Sequence, residues 1–295
     1  MQTPVVFPSA TLPVEFEDGL SMDPVEAHSL GELFSAEYSA AQPFPHIVID
    51  DFLPAELIQS VMKNFPAGER DSDRVFTIGY GGEHKRQIMP EDCNRFSREV
   101  FQFFNSRPVL QFLEGLTGIQ GLLPDPYFEG GGFHEITRGG RLGVHADFRI
   151  NEKLSVQRRL NLLIYLNPVW QDDWLGHLEL WSRDMKECQV KVAPLMNRCV
   201  VFSTEADTWH GHPDPLNIPE GMTRRSMALY YYSASRAIYE ETPNVSTMYM
   251  ARPSDAGQIK AEARRFRREE YLKEWLPPVG YRALARARRV IGRLF

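Results

Sequence analysis

The sequence predicts an α+β protein, mainly β, in which helices from the first half support an antiparallel sandwich or barrel. Three observations predict it. Between residues 124 and 235, seven short apolar runs follow one another, separated by Gly- and Pro-containing turns, with no helical segment between them. Apolar residues at helical spacing occur only before residue 118 and again after Pro253. The chain of 295 residues, 43% hydrophobic and 24% charged, is long enough to bury a full core and ordinary in composition for a globular protein.

Taken in order, residues 1–27 carry scattered prolines (Pro4, Pro8, Pro13, Pro24) and read as irregular or loosely docked. Residues 1–42 form an irregular or helical N-terminal extension. Pro43-Phe44-Pro45-His46-Ile47-Val48-Ile49-Asp50 has the alternation and β-branching of a short strand. Pro54-Ala55-Glu56 then opens a helix with Leu57, Ile58, Val61, Met62 and Phe65 on one face. A second helical region spans 94–118 with a break near Ser106-Arg107-Pro108, so 51–118 is the helical support. The β-core of 124–235 has strands predicted at 133–136, 142–148, 160–166, 178–181, 190–192, 199–202 and 226–232. The main domain is 43–240, and a charged helical extension covers 253–295.

Composition narrows the function. No apolar run reaches the roughly 18 residues of a membrane span, and Met1-Gln2-Thr3-Pro4 lacks the basic start and apolar stretch of an export signal. Three cysteines, Cys93, Cys188 and Cys199, sit at no metal-like spacing and suit a reducing compartment, so a cytoplasmic protein is expected. The net charge of −6 divides unevenly: residues 260–295 hold eleven Lys/Arg against four Glu, which leaves −13 on residues 1–259. So acidic a body argues against nucleic-acid binding. In the tail, Leu284, Ala287, Ile291 and Leu294 share one helical face and Arg282, Arg286, Arg289 and Arg293 another. The expectation is docking on protein; contact with an anionic membrane surface is the lesser reading.

The chemistry concentrates in Gly143-Val144-His145-Ala146-Asp147-Phe148 and, 65 residues after His145, Thr208-Trp209-His210-Gly211-His212. Strand residues two apart share a face, so His145 and Asp147 can grip one ion, and a histidine from a distant strand completes a triangle. Two imidazoles and a carboxylate suit Fe(II) with three positions left open. A His-x-Asp triplet alone is a weak signal. The following segment, Thr223-Arg224-Arg225-Ser226-Met227-Ala228-Leu229, adds an arginine of the kind that holds a buried carboxylate.

In this order the motifs resemble the prolyl 4-hydroxylase-like branch of the Fe(II)/2-oxoglutarate oxygenases over about residues 43–235. The matching residues are Pro43-Phe44-Pro45-His46, His145-Ala146-Asp147-Phe148, Arg159-Leu160-Asn161-Leu162-Leu163-Ile164-Tyr165-Leu166-Asn167, Leu178-Glu179-Leu180-Trp181, His210-Gly211-His212-Pro213 and Arg224-Arg225-Ser226. The resemblance implies a double-stranded β-helix (jelly-roll) core and a dioxygenase that requires Fe(II), 2-oxoglutarate and O2 and releases succinate and CO2. It implies His145, Asp147 and His210 as metal ligands and Tyr165 as a hydrogen-bond donor to the 2-oxoglutarate carboxylate. Relatives that halogenate lack the carboxylate, so Asp147 implies hydroxylation. His212 remains the alternative third ligand, placed otherwise near the site entrance. Arg224 is chosen over Arg225 as the anchor, because it turns small Ser226 and Ala228 inward rather than Met227 and Leu229.

Other residues weigh less. Trp170, Trp174, Trp181 and Trp209 suit core or rim filling better than a substrate pocket. Gly130-Gly131-Gly132 lacks a phosphate-loop context and reads as a turn beside the site. Arg158-Arg159 reads as a solvated strand edge, and His134 and His177 as structural. No substrate-docking module is recognisable, which favours a small molecule or saccharide precursor over a peptidyl proline. A non-catalytic jelly-roll ligand-binding protein is the rival from another class.

Overall fold

The protein is described here as a computed structural model covering residues 6–7, 11–77, 79–234 and 247–275. Its elements in chain order are β1 (Val6–Phe7), α1 (Pro24–Glu32), α2 (Ser35–Ala40), β2 (His46–Ile49), α3 (Ala55–Lys63), β3 (Arg74–Thr77) and β4 (Glu83–Ile88). Then come α4 (Arg95–Phe104), α5 (Arg107–Thr117), β5 (Leu122–Pro124), β6 (Gly132–Ala146), β7 (Ile150–Asn151), β8 (Val156–Tyr165), β9 (Leu178–Trp181) and β10 (Cys188–Val192). The chain continues through β11 (Cys199–Ser203), β12 (His210–His212), β13 (Arg224–Ser233), β14 (Met248–Tyr249) and α6 (Gly257–Trp275).

Two antiparallel layers face each other. The larger runs β2-β11-β8-β13-β6 and continues through β4 to β3; the smaller runs β6-β12-β9-β10. Strand β6 belongs to both. Its first half pairs with β13 through Phe133–Ile136 and its second with β12 through Leu142 and His145. Gly139, at φ +80°, and Gly140 let it turn from one layer into the other. The chain then crosses between layers so that β6 and β13, first and last, pair in one layer while β6 and β12 pair in the other. This is the jelly-roll arrangement of a double-stranded β-helix.

Period-two alternation assigns each face of the larger layer a task. Leu160, Leu162 and Ile164 of β8, with Met227, Leu229 and Tyr231 of β13, pack into the main core with Phe101, Phe104, Phe112 and Leu116 of the helices. The intervening Asn161, Leu163 and Tyr165, with Arg224, Ser226 and Tyr230, face the space between the layers. The helices therefore cover one face and leave the other for chemistry.

Several expected boundaries move. The helical region 94–118 is two helices, divided where Ser106 precedes α5 and Pro108 occupies its first turn. The runs 133–136 and 142–148 are one bent strand. The hairpin β3–β4 was not legible, because Glu83-His84-Lys85-Arg86-Gln87-Ile88 is mostly polar where a strand signal needs alternating apolar residues. Residues near the N-terminus do not dock loosely: Leu12, Val14, Met22, Ala27 and Tyr38 are buried in the main core. Helix α1 crosses α5 at two glycines, where a Cβ on Gly31 would collide with the Phe112 carbonyl and one on Gly115 with the His28 carbonyl. Gly115→Ala is expected to lower stability by about 1–3 kcal/mol through this overpacking. A urea titration measures it, and metal affinity should be unchanged.

Past β13, α6 docks on the body. Tyr249 packs on Phe266 with ring centroids 5.3 Å apart, and the Tyr80 amide donates to Glu262 at 3.3 Å. The amphipathic stretch 281–295, for which docking on protein or a membrane surface is expected, lies outside the described residues. Among the described residues, no helix is long and apolar enough to cross a membrane.

Candidate metal centre

His145 and His210 meet because β6 and β12 pair in register at these two residues. Their rings lie 4.5 Å apart, and Asp147 follows immediately where β6 ends. Nδ1 of His145 lies 2.8 Å from the Gly143 carbonyl, and Nδ1 of His210 lies 3.0 Å from the Thr208 carbonyl. A carbonyl oxygen only accepts, so both rings carry their proton on Nδ1 and leave the Nε2 lone pair free. Those Nε2 atoms face Asp147, at 3.6 Å from Oδ1 for His145 and 3.4 Å from Oδ2 for His210. One donor atom from each residue lies within 4.8 Å of the others, and this is the one such group of three among the described residues. Two neutral imidazoles in fixed orientation and one carboxylate form a donor set that fits Fe(II).

Electrostatics keep His210 and Asp147 in ligating form. Burial, reinforced by the neighbouring His145, lowers the pKa of His210 to about 4 against the pull of Asp147. For Asp147, burial acts to raise the pKa, but the charge of Arg158 and the two imidazoles hold it well below the usual carboxylate range. The Arg158 Nη2 lies 3.1 Å from Asp147 Oδ2, and Asn161 Nδ2 donates to the same oxygen at 2.7 Å. Arg158 also donates to Asn161 Oδ1 from Nε and Nη2, so all three side chains are tied together.

Arg158 corrects the reading of a solvated edge. It is 2% exposed, with its guanidinium 3.5 Å from the Tyr230 ring centre and 4.7 Å from that of Phe148. The pairing of β8 with β13 shifts register between Tyr231 and Tyr232, and that irregularity turns Arg158 inward. Arg159 instead donates to the Ser233 hydroxyl at 3.1 Å.

The three donors open on a cavity of about 230 Å³ between the layers, which Arg224, Tyr165 and Ser226 also line. Arg224 is 4% exposed; its Nε donates to the Gly176 carbonyl at 2.8 Å, and its guanidinium sits 5.0 Å from the Tyr165 ring centre. No carboxylate of the described residues pairs with it, and burial lowers its pKa. Arg225 points the other way, bonding Glu135 at 2.9 Å and covering the Phe65 ring. A buried guanidinium without a carboxylate is a costly arrangement that an incoming anion relieves.

Three more residues come to the cavity wall. His212 is not at an entrance: it is 4% exposed, lies outside the ligand group, and its Nδ1 has no hydrogen-bond partner among the described residues. His134 lines the cavity while donating from Nε2 to the Gly130 carbonyl at 2.9 Å. Lys85 arrives from β4, the strand that the sequence did not reveal. The tryptophans stay outside. Trp170 and Trp174 pack with Leu216 and Ile218, while Trp181 and Trp209 pack with Val144 and Met185. Gly130 forms part of the wall, and His177 pairs with Asp172 at 3.3 Å away from it.

Among solved structures, the chain is similar to a prolyl hydroxylase from Trichoplax adhaerens, in complex with a hypoxia-inducible factor peptide, at 17% identity; the match covers 71% of this chain and 91% of that one, with a TM-score of 0.48. A prolyl-4-hydroxylase from Pseudomonas putida matches at 19% identity, covering 70% of this chain and 100% of that one, TM-score 0.45. HygX from Streptomyces hygroscopicus, with nickel, 2-oxoglutarate and hygromycin B bound, matches at 12% identity over 64% and 83%, TM-score 0.43. No curated protein matches the sequence. The 2OG-Fe(II) oxygenase superfamily model matches residues 131–232, the stretch that holds His145, Asp147, His210 and Arg224.

Proposed function

We propose that this enzyme hydroxylates an unactivated C–H bond of a small molecule or saccharide precursor, with His145, Asp147 and His210 holding Fe(II) and Arg224 anchoring 2-oxoglutarate. The observation that carries the reading is the buried, carboxylate-free Arg224 in the same cavity as the three donors. Bound there, Fe(II) supplies the redox chemistry: 2-oxoglutarate and O2 become succinate and CO2, and one oxygen atom of O2 enters the substrate C–H bond.

The chain's own residues bind, orient and shield. The Gly143 and Thr208 carbonyls hold the imidazole tautomers, and Arg158 with Asn161 holds the Asp147 carboxylate in its ionised form. Tyr165 lies against Arg224, its hydroxyl 3.5 Å from Nη2, and both would face one end of the co-substrate with the small Ser226 leaving room. Phe76, Gly81, Thr247 and Tyr249 also line the cavity, whose volume of about 230 Å³ favours a compact substrate over an extended chain. Purified protein is expected to convert 2-oxoglutarate to succinate only with both Fe(II) and O2 present. Succinate release, screened against metabolites, sugar nucleotides and proline peptides, tests both the reaction and the substrate. A proline peptide as the one stimulating compound would reverse the substrate assignment.

A further inference from the structure

The cavity holds more positive charge than iron and 2-oxoglutarate use. Its lining includes three cationic side chains, Lys85, Arg158 and Arg224, and one carboxylate, Asp147. Arg158 is matched by Asp147 at 3.1 Å, and Arg224 is the anchor assigned to the co-substrate. A divalent metal and a doubly charged 2-oxoglutarate cancel each other, so the surplus of fixed positive charge persists in the loaded site. Among the described residues, Lys85 is the cation left without a carboxylate partner: none lies within 4.0 Å of its Nζ, which rests 5.2 Å from the ring centre of Phe76. His134 and His212 line the same cavity and bring no negative charge to it, and among the described residues the Nδ1 of His212 has no hydrogen-bond partner.

Resting on the oxygenase reading above, we propose that Lys85 is a specificity residue whose ammonium group binds an oxyanion, carboxylate or phosphate, carried by the primary substrate. Position supports this assignment over a second contact to 2-oxoglutarate. Lys85 stands on β4 between Phe76 of β3 and Ile136 of β6, so the whole width of β6 separates it from Arg224, which pairs with Ile136 from β13. A partly buried ammonium stripped of water gains a charge-assisted hydrogen bond only when an anion arrives. Neutral analogues of the substrate would leave that group unpaired, which is how such a residue selects.

The test uses full-length protein loaded with Mn(II) and saturated with 2-oxoglutarate, titrated calorimetrically with acetate and, separately, with inorganic phosphate. Wild-type protein is expected to bind at least one of these anions saturably. Lys85→Gln and Lys85→Met should weaken that binding at least about tenfold, and Lys85→Arg should retain it. In all three variants 2-oxoglutarate affinity should stay within about threefold of wild type, which also shows that they fold. The response to acetate against phosphate tells which oxyanion the site accepts. Binding that is absent in wild type, or undiminished in Lys85→Gln and Lys85→Met, would overturn the proposal. So would a loss of 2-oxoglutarate affinity in those variants, or anion binding seen only without 2-oxoglutarate, because either places Lys85 in the co-substrate site. Failure of wild-type protein to bind Mn(II) and 2-oxoglutarate at all would instead defeat the oxygenase reading beneath it.

Discussion

Replacing Asp147 by Ala is expected to abolish Fe(II) retention and succinate formation together, and to destabilise the apoprotein as well. The first effect follows from losing the single anionic donor of the group. The second follows from Arg158, which would be left charged and buried with no carboxylate, only Asn161 and the Tyr230 and Phe148 rings beside it. Breaking such a pair from one side costs about 3–5 kcal/mol. Metal content after anaerobic loading and a urea titration read the two effects separately. Asp147→Asn keeps the shape but removes the charge, so it should lose iron too. His145→Ala and His210→Ala should lose iron without the large stability penalty, and His212→Ala should keep it. Retention of iron by Asp147→Ala with wild-type turnover would refute the centre, and iron lost from His212→Ala but kept by His210→Ala would move the third ligand.

Arg224→Met is expected to weaken 2-oxoglutarate binding by about 2–5 kcal/mol, roughly thirtyfold to several thousandfold, because the distal carboxylate would be buried without its cation. Arg225→Met should change it little. Its guanidinium is directed at Glu135 and Phe65 on the other face of β13, and Glu135 keeps Arg86 as a second partner. Calorimetric titration of the Mn(II)-loaded variants compares the two directly. Equal and small effects would show that neither arginine anchors the co-substrate.

These two arginines also show how much of the site was legible in the sequence. Their contrast follows from alternation along β13, where the apolar Met227 and Leu229 identify the face that packs on the helices. Alternation places His145 on the cavity side of β6, and Asp147 follows just past the end of that strand. Lys85 was not legible, because β4 carries no apolar alternation to mark it as a strand. Arg158 was not legible either, since a one-residue register shift against Tyr231 and Tyr232 reversed the face that counting would assign. His212 stands two residues from His210 on β12, yet the pairing of β12 with β6 shifts register between them, and only His210 joins the ligand group.

By itself, then, the sequence determined the fold class and the helical cover and singled out His145, Asp147 and His210 as a candidate donor set, because periodicity and side-chain chemistry are local properties that each segment carries with it. The tertiary structure decided what depends on neighbours: which polar residues are buried, which charges are matched and which is not. Burial turned Arg158 from an edge residue into the support of Asp147, and strand pairing brought Lys85 to the wall of a cavity whose other residues lie on different strands. Charge balance inside a cavity is a sum over residues distant in the chain, and only the folded arrangement evaluates it.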